Sequence, residues 1–263
     1  MMLEKKMKQQ KKIKILLTND DGINAPGLYV LHHEMKKMGE VTVVAPDSEK
    51  SAVGHAITLS DPLRVTNFHK NNGFFGYSVN GTPADCVKLA YWALGIKPDI
   101  LISGINLGSN TGINIIYSGT VSAATEGVFL NIPSFAISLT TFLNPNFSIA
   151  AKFARKLSQI ILKNGLPSGT LLNVNVPAVD HESELNGIQI TRQGNAMYHE
   201  EFDKRVDPHN RVYYWLTGQK VKLEKEDDVD DRAILDNKIS ITPIHFDLTN
   251  YDYLDELRKW EFV

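Results

Sequence analysis

The sequence predicts an α/β fold: a three-layer, Rossmann-like core with a mostly parallel sheet, followed by a C-terminal arm of β-hairpin and helix. Three observations predict it. Short apolar runs rich in β-branched residues alternate with helical stretches from residue 13 to about residue 180. Those runs are apolar on both faces, as strands of a parallel sheet sandwiched between helices must be. The first strand–helix–strand unit closes within residues 13–45, the size of one right-handed crossover.

The elements follow in order. Residues 13–18 read as a buried strand ending in the polar turn Asn19-Asp20-Asp21. Pro26 suits a first helical turn, where its missing N–H costs nothing, and a helix is expected over 26–38, followed by a strand over 41–45. Short strand pieces are expected at 56–59, 62–67 and 74–79, with Asn72-Gly73 as a hairpin turn. Thr82, Pro83 and Asp85 form a helix-start signature for 83–94, the carboxylate standing at capping-box distance from the threonine. A strand over 99–103 opens into a glycine- and asparagine-rich loop, 104–119, and a helix follows over 120–130. Strand 133–138, helix 148–163 and strand 171–176 complete the alternation. Beyond it come 188–192, an aromatic stretch at 211–216 around Tyr213-Tyr214-Trp215, an acidic run from Glu224 to Asp231, a strand over 238–244 and a helical tail.

Three parts are therefore expected: a basic disordered tail over 1–12, a catalytic core over 13–180, and an oligomerisation arm over 181–263 that returns to the core. The lysines crowded before residue 13 are not followed by the apolar stretch of about 7–15 residues that a secretory signal needs. A net charge of −2 gives no overall field for a nucleic-acid backbone, and no apolar run reaches the roughly 18 residues of a membrane span. The single cysteine, Cys86, forms no internal disulfide. A cytoplasmic protein with neither a nucleic-acid duplex nor a membrane as partner is expected.

In an open parallel sheet the ligand lies beyond the carboxyl ends of the strands, where strand order reverses. Four polar loops leave such ends: 19–25, 46–55, 104–119 and 139–147. Asp20 and Asp21 are adjacent acids directly after a buried strand. Either a hard divalent cation relieves their repulsion, or Asp20 caps a turn and Asp21 is solvated. Ser51 and Asn106 offer neutral oxygen ligands from two other loops, or serve as ordinary turn residues. Ser118-Gly119-Thr120 opens a helix and reads as a phosphate cradle or as a plain N-cap. His245, at the end of the last strand, is a candidate proton donor or a surface histidine. His55 and Lys50 read as substrate contacts or loop residues, and Asp227-Asp228-Val229-Asp230-Asp231 as a solvated run, since its spacing lacks the EF-hand pattern. Neither a dinucleotide fingerprint nor a P-loop follows the first strand.

Seven separated segments, taken together, resemble the SurE family of survival proteins: Thr18-Asn19-Asp20-Asp21-Gly22 with Ala25-Pro26-Gly27, Val43-Val44-Ala45-Pro46, Gly81-Thr82-Pro83-Ala84-Asp85-Cys86-Val87, Ser103-Gly104-Ile105-Asn106-Leu107-Gly108, Ile116-Tyr117-Ser118-Gly119-Thr120-Val121, Leu172-Asn173-Val174-Asn175-Val176-Pro177 and Ser240-Ile241-Thr242-Pro243-Ile244. The resemblance implies a metal-dependent 5′-nucleotidase that releases phosphate from nucleoside 5′-monophosphates, with activity on 3′-nucleotides and polyphosphate reported in such enzymes. It implies one divalent ion per subunit, Mg²⁺ or Mn²⁺, with Asp20, Asp21, Ser51 and Asn106 on the ligand positions and Asn110, Ser118, Gly119 and Thr120 at or beside the phosphate site. It also implies a homodimer or homotetramer built through the arm. On this basis a metal-activated water attacks phosphorus, Asp20 or Asp21 takes its proton, and His245 protonates the leaving oxygen. The competing expectations are an aspartyl-phosphate on Asp20 and a catalytically silent nucleotide- or metal-binding regulator. Asn237 departs from the family by standing where a glycine is common, in a turn that asparagine also tolerates.

Overall fold

The computed structural model describes residues 12–221, 224 and 226–262; residues 1–11, most of the expected basic tail, lie outside that range. Alternation of side chains along β1 (Lys14–Thr18) sends Ile15 and Leu17 to one face and Leu16 to the other, and each face seeds its own core. On the first face, α1 (Pro26–Met35) lays Leu28, Leu31 and Met35 over the sheet. The chain returns as β2 (Glu40–Pro46), parallel to β1.

Residues 56–59 form no strand. The next two strands, β3 (Val65–Lys70) and β4 (Gly73–Val79), make an antiparallel hairpin whose two-residue loop is Asn71-Asn72, with φ of 52° and 60°, rather than Asn72-Gly73. Both loop residues sit in the left-handed region, which asparagine tolerates and a hairpin of this twist demands. Helix α2 (Pro83–Trp92) starts with the expected reciprocal cap between Thr82 and Asp85 and packs Cys86, Val87 and Ala90 on the second face.

β5 (Ile100–Leu107) runs four residues further than the expected 99–103, because Gly104–Leu107 stay paired with β6 (Ser134–Leu139) across a register shift. The expected loop 104–119 is therefore half structured, and it also holds the short α3 (Asn114–Tyr117). α4 (Gly119–Phe129) covers the second face beside α2; α5 (Ser148–Asn164) covers the first beside α1. β7 (Thr170–Val176) extends the parallel sheet.

The C-terminal part contributes to the same sheet. β8 (Ile188–Ile190) and β11 (Ile239–His245) join it, β11 running antiparallel to β7, in the order β3-β4-β2-β1-β5-β6-β7-β11-β8. Between them a separate antiparallel hairpin, β9 (Met197–Val206) and β10 (Val212–Val221), stands apart from the sheet. α6 (Asp230–Leu235) packs on β11, and α7 (Tyr251–Leu257) buries none of its residues. Asn237 has φ 54°, so asparagine does take the left-handed turn position. Among the described residues no helix is long and apolar enough to cross a membrane.

β1 lies between β2 and β5, so successive crossovers leave it in opposite directions. The crevice that opens at such a reversal lies beyond Thr18 and Ser103, which are paired in register.

Candidate active site

Immediately beyond Thr18 the chain turns sharply: Asn19 Nδ2 donates to Gly22 O at 3.0 Å, and Ile23 N–H donates to Pro46 O at 2.8 Å. Lys50 N–H donates to Asp20 O at 2.7 Å, which ties the 46–51 loop to the same turn. These bonds hold Asp20 and Asp21 where the crevice opens.

Asp20 is buried and faces the start of α4. Thr120 N–H donates to its Oδ2 at 3.1 Å and the Thr120 hydroxyl donates to its Oδ1. A side chain at Gly119 would forbid this: a Cβ there would stand 2.9 Å from Asp20 Cβ and 3.0 Å from Oδ2. Burial nevertheless outweighs these donors and raises the Asp20 pKa above 3.8. Asp21 accepts from Leu107 N–H at 3.3 Å; burial, then the Asp20 charge, push its pKa to about 7. The charges acting on the pair are acidic: Glu49 on both, and Asp20 on Asp21.

Two neighbouring carboxylates under such strain fit a hard cation, which reverses both effects. The neutral ligands are placed to complete the set. Ser51 and Asn106 line one cavity with Asp20, and Asn106 commits its amide nitrogen to Gly108 O at 2.7 Å, so its carbonyl oxygen is what it offers a ligand. Ser51 Oγ donates to Glu49 Oε1 at 2.5 Å, which aims its lone pairs away from that acid. At the end of β1, and where β5 pairs with it at Ser103, Thr18 Oγ1, Asn19 Oδ1 and Ser103 Oγ are buried without a hydrogen-bond partner, polar atoms of the kind that a cation's water shell satisfies. Among the described residues no three His, Cys, Asp or Glu gather into a metal cluster, so a cation here relies on the neutral oxygens.

The cavity measures about 980 Å³. Asn110 and Ser118 line it. Asn110 is fixed on every side: its N–H donates to Asn175 Oδ1 at 2.8 Å, its Nδ2 to Ser138 Oγ at 3.0 Å, and its carbonyl accepts from Asn173 and Asn175. Ser118 is the N-cap of α4, accepting from Val121 N–H at 3.1 Å. Its hydroxyl hydrogen stays available for an anion. Gly119 and Thr120 do not line the cavity; they lie behind Asp20, and both polar groups of Thr120 are given to that carboxylate. The expected cradle is thus an anchor for Asp20 with Ser118 at its rim.

His245 is misplaced for its expected role. Antiparallel pairing sets it opposite Thr170, the first residue of β7, at the edge of the sheet remote from the crevice, where it is exposed. His55 binds Glu126 Oε1 at 2.8 Å and Lys88 binds Oε2 at 2.8 Å, a cluster on α2 and α4. The acidic run is not solvated throughout, because Asp230 and Asp231 are buried. Sequence reasoning missed the cavity's remaining lining: Ile113, Tyr117 and Phe142, and the hairpin residues His199, Glu200 and Leu216–218. Tyr117 abuts the Ser118 motif, but no local signal announces that β9 and β10 close over the crevice.

The family model described as survival protein SurE matches residues 15–200. The chain is similar to a 5′-nucleotidase SurE of Syntrophobacter fumaroxidans, 48% identical over 94% of this chain and 99% of that one. It is also similar to a 5′-nucleotidase SurE of Syntrophus aciditrophicus, 51% identical over 94% and 93% of the two chains. Among solved structures it resembles a SurE protein from Aquifex aeolicus, with a TM-score of 0.80 and 41% identity across 93% of this chain and 98% of that one.

Proposed function

The chain belongs to the survival protein SurE family, and from that premise we propose that it is a metal-dependent 5′-nucleotidase whose reaction takes place at the Asp20–Asp21 crevice. The observation that carries the reading is the buried Asp20 carboxylate, in one cavity with the neutral oxygens of Ser51 and Asn106 and next in sequence to the half-buried Asp21, both acids having raised pKa values.

Asp20, Asp21, Ser51 and Asn106 would hold one Mg²⁺ or Mn²⁺ per subunit, which when bound neutralises phosphate charge and acidifies a water. Thr120 orients Asp20 through two hydrogen bonds, so this carboxylate keeps one geometry through the cycle. Asp20 is a ligand rather than a nucleophile in this reading, its carboxylate held by Thr120 at the wall of the cavity. Asp21, held by a hydrogen bond from the Leu107 amide, accepts the proton of the attacking water. The Ser118 hydroxyl and the Asn110 side-chain amide bind phosphate oxygens in substrate and transition state alike. Ile113, Tyr117 and Phe142 give the nucleoside an apolar wall.

We assign the substrates as nucleoside 5′-monophosphates, with 3′-nucleotides and polyphosphate at the same site. The arm is assigned to a homodimer or homotetramer: Phe202, Val206, Val212, Tyr213, Trp215 and Leu216 are exposed on the hairpin and α7 has no buried face. A cytoplasmic setting is consistent with a lone, fully buried Cys86.

Phosphate release from a panel of 5′- and 3′-nucleoside monophosphates and polyphosphate, with Mn²⁺, with Mg²⁺ and with EDTA, tests the assignment. Release from 5′-nucleotides that requires added metal supports it. Release undiminished by EDTA, or none from any nucleotide, refutes it.

A further inference from the structure

The buried end of the acidic run does something its sequence does not announce. Asp230 is fully buried at the first turn of α6, yet its carboxylate bonds beyond that helix. Oδ2 accepts from Gly112 N–H at 2.8 Å, and Oδ1 accepts from Gly194 N–H at 3.0 Å and Asp231 N–H at 2.8 Å. Thr111 Oγ1 donates to Asp231 Oδ1 at 2.6 Å, and Gln193 Nε2 donates to Gly112 O at 3.0 Å. Gly112 belongs to the segment between β5 and α3 that carries Asn110 and lines the cavity. Gly194 precedes the β9–β10 hairpin and Asp230 follows it.

The two ends of the hairpin-bearing segment are themselves sewn together. Arg192 N–H donates to Asp228 O at 2.8 Å and Asp230 N–H donates to Arg192 O at 3.1 Å. One carboxylate therefore joins three strands of chain: the wall of the cavity, and the ascending and descending feet of the hairpin that closes it. Gly112 has φ +56°, a conformation that favours glycine, and this turns its amide toward Asp230. Burying a carboxylate is costly, as its raised pKa reflects, and a helix of six residues needs no buried acid to begin it. Three backbone donors converging on Asp230 offset that cost only while wall and hairpin feet stay in register.

We infer that Asp230 is a positioning residue for the nucleotidase site: by holding the Gly112 and Gly194 amides with one carboxylate, it fixes the Asn110-bearing loop against the base of the β9–β10 hairpin. This inference rests on the reading that the cavity receives the nucleotide. A loop that binds phosphate alike in the ground and transition states governs KM more than kcat, so loosening it is read mainly in KM.

The test combines steady-state hydrolysis of 5′-AMP with residue-resolved amide exchange on the full-length protein. In the wild type the Gly112 and Gly194 amides should exchange as slowly as those of β5; fast exchange of either overturns the inference. In Asp230→Asn, one acceptor oxygen becomes a donor that faces an N–H. The expected result is an increase in KM of about tenfold, a kcat within about threefold, and exchange at Gly112 and Gly194 at least about tenfold faster with β1 and β5 unchanged. Asp230→Glu, which keeps the charge, should recover part of the KM. A variant with a lowered Tm but wild-type KM and wild-type exchange at Gly112 has lost only a structural residue, and overturns the assignment. If Asp230→Asn does not fold, Asp231→Asn, which weakens the Thr111 contact beside the clamp, should raise KM in the same direction, and an unchanged KM contradicts the clamp. A wild-type protein that releases no phosphate from any nucleotide removes the nucleotidase reading instead, and the wild-type exchange rates still decide whether the clamp exists.

Discussion

Asp20 owes its geometry to the absence of a side chain one helix away. Gly119 leaves room for the Asp20 carboxylate to reach the first turn of α4, where a Cβ would come within 3.0 Å of its Oδ2. Gly119→Ala should displace that carboxylate by a fraction of an ångström to an ångström and lower kcat/KM by about a hundredfold, with far-UV circular dichroism unchanged. Steady-state kinetics check it, and activity within about twofold of wild type would show that Asp20 has no exacting position. At the opposite edge of the sheet, His245→Ala should leave kcat and KM for 5′-AMP unchanged, as measured in the same assay. The carboxylates stood out in sequence because two neighbouring acids directly after a buried strand repel unless a cation, a shared proton or solvent relieves them. Asp230 was not, since its burial depends on the distant Gly112 and Gly194 amides rather than on its neighbours.

Chemical signals differed in how tightly they fixed their elements: the Thr82–Asp85 cap marked its helix start to the residue, while the asparagine-rich hairpin turn formed one residue earlier than expected. α2 begins at Pro83 because Thr82 and Asp85 satisfy each other's backbone amides, an instruction contained in four residues. Asp85 also accepts from Thr58 N–H at 3.0 Å and Thr58 Oγ1 at 2.6 Å, pinning the irregular stretch after β2. Burial works to raise its pKa, but the donors from Thr58 and Thr82 prevail and hold it below 3.8. A carboxylate depressed in the folded state stabilises above its unfolded pKa, and that contribution is lost as pH falls through the folded value. Asp85→Asn should thus cost about 1–2 kcal/mol at pH 7 and progressively less below about pH 4, as urea unfolding across that range would measure. β11 shows what hydropathy withholds. Its apolar pattern is the same for either direction, and only its antiparallel pairing with β7 sends His245 away from the crevice. β5 outran its expected end because Gly104 to Leu107, polar enough to read as loop, are covered by β6.

At the scale of the whole molecule, one sheet with a core on each face brings loops far apart in sequence to a single crevice at the β1–β5 reversal. The alternation of strand and helix made this much legible. That β9 and β10 contribute to the lining of the crevice was not, because a hairpin's own pattern only says strand, turn, strand. That hairpin leaves Trp215 59% and Phe202 64% exposed. If the arm assembles subunits, Phe202→Ser with Trp215→Ser should shift the sedimenting species toward monomer, and an unchanged wild-type oligomer would place the interface elsewhere.

The account stands most directly on the kcat/KM of Asp21→Asn for 5′-AMP in saturating Mn²⁺, measured beside the thermal stability of the metal-free protein. Removing one of two neighbouring carboxylates that repel should leave the metal-free Tm equal to or above that of the wild type, while kcat/KM falls by at least about a hundredfold. Hydrolysis within about tenfold of wild type, with its Mn²⁺ requirement intact, would contradict the claim that this carboxylate pair is the seat of the reaction.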